Sequence, residues 1–231
     1  MNFFAISDLH ISTTEDKPMD VFGATWENYL EKIVADWQAK VADDDAVLIA
    51  GDLSWAMDIP NAVKDLSVIS GLKGKKVIVR GNHDYWWKSL KRVREALPEF
   101  TVIQNDAVKI GNAVVCGSRG WTVEGAADFT EQDKKLYLRE AERLRLALSA
   151  AAKLRGEGDK LVVMVHYPPF NVRRENSLYT DLFEKNGVNA VVYGHLHGKD
   201  CRSDLVWEKN GIKYYLTSCD KLDNKLAAID L

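Results

Sequence analysis

The chain has five histidines, and each falls in a short metal-ligand pattern at the end of an expected strand. His10 sits in Asp8-Leu9-His10, His83 in Gly81-Asn82-His83-Asp84, and His195 and His197 in Gly194-His195-Leu196-His197. His166 follows the apolar run Leu161-Val162-Val163-Met164-Val165, and Asp52 in Gly51-Asp52 completes the set. No histidine is left over for the core or for ordinary surface positions. Imidazole, carboxylate and amide oxygen without thiolate form a mixed N/O set, which suits Mn, Fe, Zn or Co better than Ca or a structural Zn-thiolate site. Asp52 is the natural bridge, because one carboxylate can hold two cations roughly 3.5–4 Å apart. Two ions so held bring a water toward hydroxide near neutral pH and stabilise the attacking and leaving oxygens of an in-line phosphoryl displacement. The chemistry these residues suit is two-metal hydrolysis.

Each block taken alone has a plainer reading. Gly51-Asp52 and Gly194 are ordinary turn residues, Asn82 suits an Asx-turn, and a single histidine after a strand is more often structural than functional. The metal reading rests on all the blocks occurring at equivalent places in the chain's pattern.

Those places are strand ends. Phe3 to Ser7, Ala46 to Ala50, Lys76 to Arg80, Leu161 to Val165 and Val188 to Tyr193 read as buried strands, continuous apolar runs of the kind found where both faces of a sheet are covered. Each candidate block follows one of them. In open α/β sheets, sites form outside the carboxyl ends of the strands, so five loops from one edge can converge. Between the strands lie helical patterns: Trp26, Leu30, Ile33, Trp37 and Val41; Pro60 followed by Val63, Leu66 and Ile69; and Trp87, Leu90, Val93 and Leu97, with Pro98 just beyond. Leu136 to Leu154 is strongly helical in composition, its many charges reading as a solvated face, and Leu178 to Lys185 gives a shorter helix. Gly111-Asn112 and Asn210-Gly211 mark hairpins, Lys225 to Asp230 a closing strand, and Ser118 to Asp133 an irregular loop. Without internal repeat, low-complexity tract or linker, residues 1–231 read as a single domain with two sheets.

Composition narrows the function. The chain of 231 residues is 46% hydrophobic and carries 31 basic against 34 acidic residues. That balance gives no basic footprint for non-specific nucleic-acid binding. Cys116, Cys201 and Cys219 are odd in number and scattered, unlike a secreted disulfide framework. The N-terminus lacks the pattern of a signal peptide, and no apolar stretch approaches the ~20 residues of a membrane span. A cytoplasmic protein without membrane association is expected.

In order and character the blocks resemble the calcineurin-like metallophosphoesterases, whose pattern is Asp-x-His, Gly-Asp, Gly-Asn-His-Asp/Glu, a lone His after a strand, and Gly-His-x-His. Here these are Asp8-His10, Gly51-Asp52, Gly81 to Asp84, His166 and Gly194 to His197, spanning most of the chain. The chain is most similar to the short bacterial predicted phosphohydrolases of that family, whose substrate is generally unassigned. The resemblance implies an α/β fold: a four-layer sandwich of two mixed β-sheets flanked by helices. It implies two divalent or trivalent ions, the first held by Asp8, His10, Asp52 and His197, the second by Asp52, Asn82, His166 and His195. It makes His83 a non-ligand that contacts the phosphoryl group or protonates the leaving oxygen, with Asp84 orienting its imidazole.

For the substrate, the expectation is a small phosphodiester or phosphomonoester. A Ser/Thr protein phosphatase or a nuclease belongs to the same family, and a non-catalytic metal-binding scaffold is the alternative from another class. Completeness of the ligand set argues against the scaffold, and the acidic balance against a duplex nuclease. Arg119 and Trp121, and Arg173 and Arg174, are the candidate substrate-binding residues, since a guanidinium clamps a phosphate bidentately. Trp55, Tyr85, Trp86 and Trp87 either line a cleft or pack the core, Trp87 by its helical spacing reading as core. Tyr167-Pro168-Pro169-Phe170 reads as structural.

Overall fold

The computed structural model describes residues 1–198 and 201–231. Among these residues, sixteen regular strands and helices follow one another in the expected alternation. The first sheet contains β1 (Phe3–Ile6), β2 (Ala46–Ile49), β3 (Lys75–Ile78) and β4 (Phe100–Val102), all parallel, with β11 (Ala227–Ile229) antiparallel to β1 at one edge. The second contains β5 (Asp106–Ile110), β6 (Ala113–Gly117), β7 (Lys160–Met164), β8 (Ala190–Tyr193), β10 (Ile212–Leu216) and β9 (Val206–Lys209) in that spatial order. Its four central strands are parallel, and β5 and β9 close the edges as antiparallel hairpin partners.

The sheets face each other. Ala5, Leu48 and Val77 of the first share one apolar cluster with Val115, Val162, Met164 and Val192 of the second. On the far side of the first sheet lie α1 (Tyr29–Lys40), α2 (Ile59–Ser70) and α3 (Leu90–Ala96), with Ile33, Trp37, Leu66 and Val93 packed on Ile6, Val47 and Ile78. On the far side of the second lie α4 (Glu131–Leu154) and α5 (Leu178–Lys185), with Tyr137, Leu144, Leu148 and Phe183 packed on Val114, Val163 and Val191. The alternation of side chains along a strand sends successive residues to opposite sheet faces, so strands buried on both faces read as unbroken apolar runs. The result is the expected four-layer α/β sandwich of two mixed sheets.

Several boundaries differ from the sequence reading, each for a local reason. Trp26 belongs to a 3₁₀ turn (Ala24–Trp26) rather than to α1, because Asn28 takes φ 50° and breaks the helical path; the indole is buried all the same. Trp87 precedes α3, and its indole nitrogen donates to Gln104 at 2.9 Å. Helix α4 starts five residues earlier than Leu136, at Glu131, because Thr130 and Asp133 form a capping box. Its charges are not all solvated: Glu140 is fully buried and accepts from Ser118 Oγ (2.7 Å) and the Gly120 N–H (3.3 Å). The Asn210-Gly211 turn has φ of 52° and 77°, the double positive value of a type I′ hairpin. Strand β4 had no distinct signal, being only three residues long.

Candidate metal centre

All the candidate blocks lie at the carboxyl ends of parallel strands: Asp8 and His10 after β1, Asp52 after β2, Asn82 and His83 after β3, His166 after β7, His195 and His197 after β8. The chain leaves three of these strands in a strained backbone. Asp8, His10, Asp52 and His195 have φ of 56°, 45°, 52° and 70°. Non-glycine residues enter this left-handed region at a cost of order 1–3 kcal/mol, and such strain concentrates at functional sites. Backbone ladders hold the loops there: Asp8 N–H donates to Gly51 O (3.0 Å), His10 N–H to Asp52 O (3.0 Å), and Gly194 N–H to His166 O (3.1 Å).

Two glycines make the convergence possible. A Cβ at Gly81 would overlap the Asp52 carboxylate and backbone nitrogen, and one at Gly194 would overlap the side-chain oxygens of Ser7 and Asp8. Both are needed for close approach of one loop to another.

The side chains meet in two groups. Asp8, His10 and His197 present ligand atoms within 4.8 Å of one another, and so do Asp8, Asp52 and His166. Asp52 touches both groups, with Oδ2 3.8 Å from His10 Nε2 and 3.3 Å from His166 Nε2. Asn82 Oδ1 lies 2.7 Å from His166 Nε2 and 2.9 Å from His195 Nδ1. His10 and Asp52 are buried, yet both ring nitrogens of His10 and Oδ2 of Asp52 have no hydrogen-bond partner. Buried polar atoms left without partners are uncommon and costly. Here they are a carboxylate oxygen and imidazole nitrogens gathered at one point, the donor set of a cation site. The residues present therefore fit divalent ions, and thiols take no part in either group.

Burial opposes charge on these histidines, and their neighbours decide the outcome. His10 and His195 fall to about 4, burial being the larger cause; at His195 the charge of His166 adds to it. His166 goes the other way, up to about 9: burial works against its charge, but the Asp52 carboxylate and the Ala50 carbonyl, 2.9 Å from Nδ1, outweigh it. Asp52 is held well below the carboxylate range, the His166 and His10 charges overcoming its burial.

His83 stands beside these groups and is not one of them. Its ring packs against Trp55 (4.6 Å between centroids) and edges His10 (5.5 Å), its backbone N–H donates to Asp52 Oδ1 (2.8 Å), and burial lowers its pKa. Its Nδ1 meets the Tyr85 hydroxyl at 3.2 Å. The expected Asp84–His83 contact is absent. Asp84 is fully buried and accepts from the N–H groups of Gly81 (2.7 Å), Asp52 (3.1 Å), Leu53 (2.9 Å) and Ser54 (3.3 Å), and from Trp86 Nε1 (3.2 Å). With its oxygens committed to five inward donors, it ties the β2 and β3 loops together and does not orient the imidazole.

The other candidates divide. Trp55 stacks on His10 at 4.7 Å and Tyr85 is exposed beside His83, whereas Trp86 and Trp87 are core. Arg119 lies over Trp121 (4.7 Å), and Trp121 donates to Asp133 (2.9 Å) and tilts against Tyr167 (5.0 Å). Tyr167 reaches the site itself, 4.2 Å from the His195 ring, a role its structural reading missed. A groove of about 610 Å³ opens beside His195 and Tyr167, lined from the two long loops by residues such as Val123, Phe170 and Arg174. Arg174 pairs with Asp204 (2.5 Å) and lies over Trp207. Arg173 is not among the groove's lining residues: its guanidinium pairs with Glu175 at 2.9 Å on the exposed side.

Sequence reasoning missed the residues that hold Asp8. Ser7 Oγ (2.6 Å) and Ser218 Oγ (2.8 Å) both donate to its Oδ2, and the Cys219 thiol lies under its carbonyl at 3.1 Å. Ser218 follows β10 and has no motif around it; only the bridge between Ser7 and Ser218 brings it in.

An α/β sandwich with a mixed N/O cation site at its strand ends defines the class as a metal-binding protein of the metallophosphoesterase fold. The chain belongs to the calcineurin-like phosphoesterase family, whose Metallophos description matches residues 1–199. A sequence search of curated proteins gives no match. Among solved structures, TT1561 of Thermus thermophilus is similar with a TM-score of 0.61 at 14% identity, over 99% of this chain and 97% of that one. Phosphopantetheinyl hydrolase (PptH) from Mycobacterium tuberculosis is similar with a TM-score of 0.58 at 14% identity, over 99% and 95%. The protein of unknown function AQ665 from Aquifex aeolicus follows with 0.53 at 14% identity, over 98% and 95%. At these identities the likeness shows the fold. Among the described residues no helix is long and apolar enough to cross a membrane.

Proposed function

We propose that this protein hydrolyses a small phosphomonoester or phosphodiester in a two-metal site. Asp8, His10, Asp52 and His197 would hold one divalent ion, and Asp52, Asn82, His166 and His195 the second. The observation that carries this reading is the pair of ligand groups that share Asp8, with Asp52 of one group reaching His10 of the other, and with buried, unpartnered donor atoms on His10 and Asp52. Bound there, such ions supply Lewis acidity and an acidified water.

The chain's own residues do the rest. Ser7 and Ser218 fix the Asp8 carboxylate, and Asp84 fixes the loop that carries Asp52. His83 is kept neutral by burial. In the tautomer in which the Tyr85 hydroxyl, 3.2 Å away, donates to Nδ1, the ring proton resides on Nε2, which then donates to a phosphoryl or leaving-group oxygen. The groove beside His195 receives the organic part of the ester. Its lining from the Ser118–Asp133 and Phe170–Thr180 loops makes those loops the source of selectivity. The M. tuberculosis relative is a hydrolase by name, in agreement with this reading, but at 14% identity it passes on no substrate.

The test is an assay of the chelator-treated and Mn²⁺-reconstituted protein on an aryl phosphate monoester and an aryl phosphate diester. Metal-dependent turnover is expected, and the preferred ester chooses between phosphatase and phosphodiesterase. Metal bound at the site with no turnover of either ester would favour the non-catalytic scaffold.

A further inference from the structure

A second cavity, of about 190 Å³, lies on the same edge of the sandwich. Its walls come from the residues after β3 (Arg80), β4 (Asn105) and β6 (Ser118, Arg119), and from one face of α4 (Arg139, Arg143). Arg139 and Arg143 are four apart and so occupy neighbouring positions on that face. Four guanidinium groups thus surround one small space. Of these, Arg143 alone forms an ion pair among the described residues, with Glu140 at 2.5 Å. The Nε atoms of Arg80 and Arg119 are buried and have no hydrogen-bond partner.

Such an arrangement needs compensation. Arg143 with Glu140 is the single ion pair among the four, so three of the four guanidinium groups have no paired carboxylate among the described residues. Glu140 is already engaged by Ser118, Gly120 and Arg143, and Asp84 by its five N–H donors. Neither can satisfy the free guanidinium donors. A group carrying about −1.5 to −2 charges at neutral pH and three acceptor oxygens matches both deficits, and that describes a phosphate. Arginine forks are the side chains best suited to hold it bidentately.

We infer that the Arg80–Arg119–Arg139–Arg143 cavity is a phosphate-binding site separate from the metal centre. The phosphate comes either from a distal group of the substrate or from an independent phosphorylated ligand. The site itself stands without the hydrolytic reading; only the first source rests on it.

The experiment is calorimetric titration of the full-length, chelator-treated protein with inorganic phosphate, which removes the metal centre's own affinity for the anion. One phosphate per chain is expected. The double variant Arg119→Gln/Arg139→Gln should weaken it at least tenfold while retaining the wild-type circular dichroism spectrum and melting temperature. Arg145→Gln, on the exposed side of the same helix, should not. No phosphate binding by the wild type, binding that survives the double variant, or equal weakening by Arg145→Gln would overturn the inference. If the double variant fails to fold, Arg139→Gln alone carries the comparison, with the same expected weakening and the same overturning result. In a second arm, the metal-loaded protein is given a monophosphate ester and a bisphosphate ester sharing one leaving group. Loss of a bisphosphate preference in kcat/KM in the double variant assigns the site to the substrate's distal phosphate. An unchanged ratio, with the calorimetric loss intact, assigns it to an independent ligand.

Discussion

The ligand loops and the groove loops share one edge of the molecule and are built on different physics. The ligand loops are short, leave parallel strands in left-handed backbone at Asp8, His10, Asp52 and His195, and are tied to one another by buried main-chain bonds. The groove loops are longer, and their charged side chains are held by exposed partners, Arg173 by Glu175 and Arg174 by Asp204. A surface ion pair contributes on the order of 0–1 kcal/mol, whereas a buried loop contact is enforced by packing and cannot be relaxed cheaply. The first region holds its side chains in place; the second leaves its exposed charges free to vary.

That contrast can be broken most strongly at Asp52. Asp52→Asn removes the carboxylate charge that lies between His10 and His166 and should abolish turnover and cut metal content, read by elemental analysis and the ester assay. Unchanged metal stoichiometry would remove the bridge from the account. Gly81→Ala should come close, since its new methyl overlaps Asp52. Overpacking of this kind costs about 1–3 kcal/mol of stability, and displacing Asp52 should take most of the metal with it; thermal melting and metal content check both. His83→Ala should keep both metals and lose about 10²–10⁴-fold in turnover. A metal-free variant would instead make His83 a ligand.

A pH measurement sharpens the comparison further. Without metal, His166 donates from both nitrogens, to Ala50 O and toward Asn82 and Asp52, and stays protonated up to about 9. A cation at Nε2 must displace that proton. Metal binding near pH 7 should therefore release a proton, and apparent affinity should rise with pH toward 9; calorimetry in buffers of different ionisation enthalpy counts the protons. For the chelator-treated fold the sign is the reverse. A histidine raised from 6.5 to about 9 contributes stability that is full below 6.5 and lost as pH rises through 9. Its melting temperature should fall over that window, and pH-independent proton release would contradict the His166 assignment. The smallest effect is expected in the groove loops: Arg173→Ala should change stability by less than about 0.5 kcal/mol, measured by denaturant unfolding.

The same contrast explains what was legible in the sequence. The buried strands are unbroken apolar runs because both faces of each sheet are covered, so Ala46–Ile49 and Leu161–Met164 announced themselves. The ligand types could be read because all five histidines fall at strand ends, and because strand ends in this topology gather at one edge. The supports could not. Ser218 acquires its position from its bridge to Ser7, which joins the end of β10 to the end of β1, a long-range relation with no local pattern. Asp84 looked like a partner for His83 because it is adjacent in sequence, but the turn points its carboxylate inward to five N–H donors. Arg80 sat unremarked before Gly81, and only the fold places it with Arg139 and Arg143 from a helix about sixty residues away.

The central claim is that the strand-end loops form one metal centre around Asp52. Its most direct test is a crystal structure of the Mn²⁺-loaded protein with anomalous scattering recorded at the manganese edge. The account predicts two anomalous peaks on either side of the Asp52 carboxylate, one contacting His10 and His197 and the other Asn82, His166 and His195. Manganese bound elsewhere, or no peak among these side chains in a protein that hydrolyses phosphoesters, would contradict it.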